Sequence, residues 1–189
     1  ANTLASGGFA VDNSCRFNRA SSDYLNRTPA SAGNRRTMTY SFWLKRSATA
    51  STDYHWFSTG GAGAVPRSVM AFESSEIYIA FNSSGSSWNE IFTNALFRDV
   101  SAWYHVVVAI DTTQSTASNR TRIYVNGSEI TSFRSASYVS QNTDLPNNNS
   151  SIPHFIGRNT LTGTAYFDGY IAEACFIDGQ ALDPTSFGE

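Results

Sequence analysis

Hydrophobic and polar residues alternate along several short segments of this chain, and the clearest is "RTMTYSFWLKR", residues 36–46. Its apolar positions include Met38, Tyr40, Phe42 and Leu44, with polar residues between most of them. Neighbouring side chains of a strand point to opposite faces, so this period of two buries one face and leaves the other to polar groups. The segment therefore predicts a strand of an antiparallel sheet.

A β-hairpin is the strongest local signal in the sequence. The stretch "WYHVVVAIDT", residues 103–112, is dominated by Val and is apolar throughout one parity, which predicts a strand. Farther along, Asn126 and Gly127 lie between "RIYV" and "SEIT". A type I′ turn needs a positive φ at both central residues, and Asn-Gly is the pair that most favours it. The pattern predicts a tight hairpin at this dipeptide.

The remaining apolar runs are short and are separated by Ser, Thr, Asn and Gly, which is typical of two packed sheets. They predict strands at residues 15–18, 23–29, 54–60, 68–74, 76–82, 91–97, 154–158 and 166–178. Residues 137–153, rich in Asn and Pro, predict a long surface loop, and the tail from residue 179 predicts a turn or short helix. We interpret residues 1–189 as one all-β domain, either complete or part of a longer chain.

Charge and hydropathy argue against two classes of partner. The formal net charge is -2 and the isoelectric point is near 5.9, so the chain lacks the basic field that binds nucleic acid through its phosphates. No run approaches the roughly 18 consecutive apolar residues of a membrane span. We expect neither nucleic-acid binding nor membrane insertion.

Several segments resemble laminin G-like, concanavalin A-like jelly-roll domains. They are "DNSCRFNRASSDYLNRTPASAGNRRT", "SFWLKR", "WYHVVVAIDTTQSTASNRTRIYVNG", "HFIGRN" and "YFDGYIAEACFIDGQALDPTSFGE", which together cover nearly the whole chain. The Trp-Tyr-His strand and the Tyr-Val-Asn-Gly hairpin resemble the corresponding segments of members of this superfamily. The closing Asp-Gly-Gln-Ala-Leu-Asp-Pro run resembles its members in bacteriophage virion proteins. One departure is Cys15, where these domains usually have an aliphatic residue.

The resemblance implies an antiparallel two-sheet jelly-roll sandwich on the surface of a virion, made in the host cytoplasm. It favours a non-catalytic structural or adhesion module, a tail fibre or a capsid decoration. Its partners would be other virion proteins and further copies of itself, with a trimer favoured. The alternative is a lectin-like domain that recognises a host surface glycan. The scaffold serves many functions, so the fold by itself does not decide between them.

The pattern of carboxylates argues against catalysis. Glucanases of similar fold place their carboxylates at alternate positions of one strand, on a shared face. Glu173 and Asp178 are five positions apart and fall on opposite parities of a regular strand, and Glu73 and Glu76 have the same defect. His105 has no Ser or Cys partner in a recognisable nucleophile elbow, and it is expected to be satisfied within its sheet. We expect no enzymatic activity and no catalytic residue.

The loop at residues 83–90 carries the best candidates for contact with a glycan or a protein partner. Trp88, Asn89 and Glu90 combine an aromatic ring with an amide and a carboxylate, which can stack on a sugar and hold its hydroxyl groups. Tyr54 and Trp56 form a second aromatic cluster. For each aromatic residue, the alternative is burial in the sandwich or at a subunit contact.

Metal and thiol chemistry give weak signals. Similar domains bind calcium at the sandwich rim, and the candidate ligands here are Asp168, Asp178 and Asp183. Each precedes Gly or Pro, so a turn-forming role is the alternative, and no other cofactor is expected. Cys15 and Cys175 are interpreted as free thiols, with one long-range disulfide as the alternative.

Overall fold

Strands dominate the computed structural model, which describes residues 13–49, 54–61, 66–83, 85, 87–159 and 165–188. In these ranges the strands are β1 (Cys15–Phe17), β2 (Leu25–Arg27), β3 (Thr37–Arg46), β4 (Tyr54–Thr59), β5 (Arg67–Glu73), β6 (Glu76–Asn82), β7 (Asn89–Thr93), β8 (Tyr104–Asp111), β9 (Thr121–Val125), β10 (Ser128–Glu129), β11 (Phe133–Ala136), β12 (His154–Ile156) and β13 (Gly169–Asp178). Short 3-10 helices occur at Arg19–Ser21, Ala117–Arg120 and Pro184–Phe187.

The described strands form two antiparallel sheets. The order in the six-stranded sheet is β1-β13-β3-β8-β9-β10, and in the seven-stranded sheet it is β11-β7-β6-β5-β4-β12-β2. The first and last strands of the chain, β1 and β13, are neighbours. The predicted fold class, an all-β antiparallel two-sheet sandwich, is confirmed.

The predicted hairpin is confirmed in detail. Asn126 and Gly127 have φ values of 48° and 78°, the left-handed region that a type I′ turn requires. Val125 pairs with Ser128, so two residues connect β9 to β10. On its other side β9 pairs with β8. The Val-rich strand and the Asn-Gly turn therefore fix the register of one half of the six-stranded sheet.

The main core lies between the two sheets, and alternate residues of β3 point into it. Met38 and Leu44 have no exposed surface, and Tyr40 and Phe42 are almost as fully buried. The seven-stranded sheet supplies the opposite wall, and its largest fully buried side chain is Trp56. The period-two pattern read from the sequence therefore identifies the core face of β3 correctly.

The other face of β3 is also buried, which the alternation did not predict. Thr39 and Ser41 are buried because the C-terminal residues 179–188 lie across this outer face of the six-stranded sheet. Thr39 Oγ1 donates to the carbonyl of Gln180 at 2.7 Å and accepts the amide hydrogen of Leu182 at 2.8 Å. Phe187 packs against a second small apolar cluster formed by Val107, Ala109 and Tyr124.

A β-bulge interrupts β13. Ala172 pairs with Trp43 and Cys175 pairs with Ser41, so two residues, Glu173 and Ala174, lie opposite one residue of β3. Glu173 has a φ of 46°, which is uncommon for a residue with a side chain. The extra residue shifts the alternation, and both Ile171 and Phe176 pair with inward-facing residues of β3 although they are five positions apart.

The segment 137–153 is only in part the surface loop that its polar composition predicts. It contains no strand or helix, but Val139, Leu145 and Asn147 are fully buried. The Asn147 side chain lies between the sheets, where Nδ2 donates to the Tyr40 hydroxyl at 2.8 Å and Oδ1 accepts from Ser68 Oγ at 2.7 Å. A buried amide can replace an apolar side chain here because its donor and acceptor both have partners. The segment therefore joins the two sheets.

Candidate functional site

A cleft of about 550 Å³ opens where β2 and β12 of one sheet face β3 and β13 of the other. β2 is the edge strand of the seven-stranded sheet, and its three residues are exposed. The loop from Pro29 to Gly33 forms a further wall. The volume is in the range of small-molecule and sugar sites. We refer to this feature as the edge cleft.

Apolar side chains line much of the edge cleft. The Phe176 ring is 41% exposed, and its centroid lies 4.9 Å from that of Tyr40, which in turn lies 4.6 Å from that of Phe57. The complete set of large apolar side chains in the lining is Leu25, Tyr40, Phe57, Phe155, Ile156 and Phe176. A partly exposed ring over a buried aromatic base can pack on one face of a ligand ring.

Polar groups converge at one end of the cleft. Asp178 Oδ1 accepts the amide hydrogen of Asn34 at 2.8 Å, and Asn148 Nδ2 donates to the Asn34 carbonyl at 3.3 Å. Gly33 leaves room for these two side chains, because a Cβ at this position would lie 2.0 Å from Asn148 Nδ2 and 2.3 Å from Asp178 Oδ2 and would displace them. Asp178 Oδ2 has no hydrogen-bond partner among the described residues, so it can accept a ligand hydroxyl.

His154 is held as a neutral ring beneath the same end of the cleft. Its Nδ1 lies 2.8 Å from the carbonyl of Ile152, to which it donates, so Nε2 accepts the amide hydrogen of Asn148 at 2.8 Å. Burial lowers the pKa of His154, and the positive charge of Arg27 acts in the same direction. The neutral Nδ1–H form is therefore part of the scaffold that positions Asn148.

We expect acid to loosen this end of the cleft. Because the folded pKa of His154 lies below its ordinary value of 6.5, the neutral ring stabilises the fold above that pH. This contribution is lost as pH falls below 6.5 towards the depressed value. Two-bond ¹H–¹⁵N spectra should show the Nδ1–H tautomer at neutral pH and a titration midpoint below 6.5. A midpoint at or above 6.5 would contradict this assignment.

A second cleft of about 220 Å³ continues along the same edge of the sandwich. It shares Leu25 and Ile156 with the edge cleft, and the bulge residues Glu173 and Ala174 lie at its far side. Cys15 also lines it. The two clefts therefore form one interrupted groove, divided at Leu25, whose side chain is 56% exposed.

The predicted residues Asn89 and Glu90 lie in β7 of the seven-stranded sheet, and Trp88 directly precedes that strand; none of the three is in the lining of the edge cleft. The guanidinium of Arg67 lies 5.0 Å from the Trp88 ring. Asn89 Nδ2 donates to the carbonyl of Tyr138 at 3.1 Å, and Glu90 accepts from the Tyr78 hydroxyl at 2.7 Å. All three are partly exposed, and their contact with a ligand stays a prediction.

Burial removes Tyr54 and Trp56 from the predicted contact set. Tyr54 is 3% exposed and Trp56 has no exposed surface, because β4 lies inside the seven-stranded sheet and turns both rings into the core. The Trp56 ring packs 4.8 Å from Phe72. Both residues are therefore buried in the sandwich, which is the alternative that the sequence left open for them.

The three aspartates considered for calcium each have an intramolecular contact. Asp168 Oδ1 is 2.8 Å from Arg16 Nη2, and Asp178 accepts the Asn34 amide hydrogen. Asp183 caps the short helix at Pro184–Phe187 by accepting the amide hydrogen of Thr185 at 3.1 Å. In the part of the chain that the structure describes, no three His, Cys, Asp or Glu side chains group to hold a metal ion.

The carboxylates of β13 need a corrected account. The bulge means that β13 is not a regular strand, so parity does not separate Glu173 from Asp178. The distance between the two carboxylates does separate them. Glu173 lies opposite Phe42 and Asp178 opposite Met38, and these positions are about 13 Å apart along a strand. Glycoside hydrolases use carboxylates about 5–9.5 Å apart. Among the described lining residues of the edge cleft, Asp178 is the only carboxylate.

Two further expectations concern His105 and the thiols. His105 is satisfied within its sheet, as predicted, since its Nε2 lies 2.8 Å from Ser41 Oγ and its ring stacks 4.7 Å from Trp43. Cys15 and Cys175 are both free thiols in the structure. Among the described residues, no helix is long and apolar enough to cross a membrane.

The edge cleft is the feature that sequence reasoning missed. Its walls come from positions 25–27, 29–33, 40, 57, 148, 154–156, 176 and 178, and only the fold brings these together. The one local signal was the run "TPASAGN", where Pro and Gly mark a loop that the chain holds against Asn148. No local pattern indicates that Phe176 is partly exposed, because the strand around it reads as apolar.

Fold and cleft define a two-sheet antiparallel sandwich with a ligand-sized opening at one edge. The sequence profile described as the concanavalin A-like lectin/glucanases superfamily matches residues 19–185. The chain belongs to this superfamily. No similar sequence was found among curated proteins.

Solved structures with the same fold share little sequence with the chain. The mouse laminin alpha1 chain, domains LG4-5, aligns with a TM-score of 0.64 and 15% identity over 97% of this chain and 46% of that one. The chain thus spans about half of that laminin structure. The Limulus polyphemus SAP-like pentraxin aligns with a TM-score of 0.59 and 15% identity, over 87% of this chain and 73% of the pentraxin chain. The Ruminococcus gnavus IT-sialidase CBM40 aligns with a TM-score of 0.54 and 13% identity, over 86% of this chain and 95% of the CBM40 chain.

Proposed function

We propose that this chain is a non-catalytic adhesion domain that binds a glycan in the edge cleft. The observation that carries the proposal is the cleft itself, where the Phe176 ring lies exposed above Tyr40 and the free Oδ2 of Asp178 lies at the polar end. An aromatic face and a carboxylate acceptor together hold a sugar ring and its hydroxyl groups. A single carboxylate in the described lining is too few for glycan hydrolysis.

Two comparisons support a glycan ligand. The chain belongs to a superfamily named for lectins as well as glucanases. The CBM40 of the Ruminococcus gnavus sialidase, which has the same fold, was solved with α2,3-sialyllactose bound. These relationships support carbohydrate binding as a class, and the choice of sugar has to come from the chain's own residues.

Phe176→Ala tests the proposal. We expect wild-type protein to bind a subset of glycans saturably on an array and the variant to bind them at least about tenfold more weakly, since the buried ring face contributes roughly 1.5–3 kcal/mol. Tyr170→Ala is the matched control, because Tyr170 is an aromatic residue of the same strand, is 38% exposed, and lies outside the cleft.

Three outcomes would contradict the edge cleft as the glycan site. The first is that no glycan binds wild-type protein. The second is that both aromatic variants weaken binding equally. The third is that Trp88→Ala abolishes binding while Phe176→Ala has no effect, which would move the site to the loop at residues 83–90.

A protein contact on a phage virion is the second candidate. Leu25, Tyr24 and Phe176 are 56%, 41% and 41% exposed along the same edge, and neighbouring apolar side chains of this kind favour a protein partner. The closing run from Asp178 to Pro184 resembles phage virion proteins, so we propose a tail-fibre or capsid-decoration setting, with assembly in the host cytoplasm.

Self-association distinguishes this candidate. Under the virion proposal, light scattering should give a trimer mass, and Leu25→Asp should lower the mass by placing a charge in the interface. A monomer at high concentration that binds no isolated virion component would count against a structural role. Glycan binding by such a monomer would leave the adhesion proposal intact.

A further inference from the structure

The guanidinium group of Arg158 lies among three aromatic rings at the edge of the seven-stranded sheet. Its Cζ atom is 4.8 Å from the ring centroid of Tyr24, 5.3 Å from that of Phe155 and 6.0 Å from that of Tyr166. The Tyr24 and Phe155 rings are themselves 5.9 Å apart, and Tyr24 is 41% exposed. The cluster is therefore a preformed surface feature.

Arg158 has no acidic partner among the described residues. Arg36 and Arg134 form close ion pairs with Asp144 and Glu76, so other exposed arginines of this chain do have one. The buried Nε of Arg158 has no hydrogen-bond partner in the described part of the chain. Asp23, adjacent to Tyr24, accepts the amide hydrogen of Asn18 at 2.9 Å. Within the described ranges, the charge of Arg158 thus lies against aromatic rings and not against a carboxylate.

The Arg158 cluster adjoins the edge cleft. Phe155 lines the cleft and also contacts the guanidinium, so one ring belongs to both. His154, beside the polar end of the cleft, precedes Arg158 by four residues, and β12 leads from one to the other. We expect a ligand that reaches from Asp178 to Arg158 to extend over more than one sugar ring.

We propose that Arg158, framed by Tyr24, Phe155 and Tyr166, binds the carboxylate of an acidic glycan whose neutral part occupies the edge cleft. This inference rests on the proposed glycan-binding function and specifies the ligand class. A guanidinium is weakly hydrated and presents its terminal nitrogens as a planar pair that matches the two oxygens of a carboxylate. Rings that already hold the group reduce the entropy lost when the ion pair forms.

The test is an array on which each carboxylated glycan is printed beside its methyl ester, which removes the charge and adds only one methyl group. We expect wild-type protein to bind the acids at least tenfold more tightly than the esters. Arg158→Gln should remove this preference and leave binding to the esters unchanged. Arg134→Gln is the matched control, because Arg134 also lies over a ring, Phe92, but on β11 at the opposite edge of the sheet.

The outcomes separate this inference from the proposed function. Equal binding of acid and ester by wild-type protein would overturn the inference and leave glycan binding in place, and this comparison needs no variant. An unchanged acid preference in folded Arg158→Gln, or an equal loss in Arg134→Gln, would also overturn it. Failure of wild-type protein to bind any printed glycan would contradict the proposed function itself.

Discussion

Replacing Gly169 by alanine is expected to lower the free energy of unfolding by about 3 kcal/mol or more, through steric strain that the sheet cannot relieve. A Cβ at this position would lie 2.0 Å from the carbonyl oxygen of Lys45 and 3.0 Å from its carbonyl carbon. Backbone cannot move aside as a flexible side chain can, and Gly169 is paired on both sides, with Phe17 of β1 and Arg46 of β3. Its φ of 155° adds a backbone cost for any residue with a side chain.

Urea unfolding followed by fluorescence measures this effect, and thermal unfolding should show a midpoint lower by roughly 10 °C. Gly179→Ala is the control, because Gly179 has a φ of 78° but a Cβ added there would meet no atom within 4 Å. That variant should lose only the cost of the left-handed conformation, about 1 kcal/mol. Equal destabilisation of the two variants would show that the clash with Lys45 is not the cause.

Replacing Asn147 by alanine is the second large expected effect, a loss of about 3 kcal/mol. The substitution removes the two hydrogen bonds that link Tyr40 of one sheet to Ser68 of the other. It also leaves a cavity in the core, because the Asn147 side chain is completely buried. The Tyr40 side chain is 2% exposed and burial raises the pKa of its hydroxyl, so this group loses a buried hydrogen-bond partner in the variant. Chemical denaturation of wild type and variant measures the loss.

Asn94→Ala is the control for Asn147, because the exposed Asn94 makes a comparable side-chain hydrogen bond to Ser132, at 2.8 Å. It should change stability by less than about 0.5 kcal/mol. A double-mutant cycle with Tyr40→Phe should give a coupling energy above about 0.5 kcal/mol, as expected for groups in direct contact. Additive effects, or an equal loss for both asparagine variants, would refute the idea that Asn147 joins the sheets.

The sequence predicts the parts of this fold that local pattern controls. Alternation in β3, the Val-rich β8 and the Asn126-Gly127 turn each specify their own conformation, and all three are present. β11 was not predicted, because its residues Phe133–Ala136 have no alternation of their own and pair with β7 across a register shift. Its position depends on the edge that β7 presents.

Burial of polar and aromatic groups is where local pattern fails. Asn147 reads as a loop residue, yet two partners from different sheets stabilise it in the core. Trp56 reads as an aromatic residue free to meet a ligand, yet the central position of β4 buries it. The candidate site could not be predicted for the same reason, since Phe176 meets Tyr40, and Arg158 meets Tyr24, only across parts of the chain that are distant in sequence.

The extra residue in β13 has a consequence for comparing this chain with its relatives. Ile171 and Phe176 face the same way at a separation of five, whereas an uninterrupted strand would place two such positions an even number of residues apart. A related chain one residue shorter here would keep every pairing on both sides of Glu173. In an alignment with such a chain, the gap belongs at Glu173 and Ala174. An alignment without this gap would match Phe176 to a residue whose side chain points to the other face of the sheet.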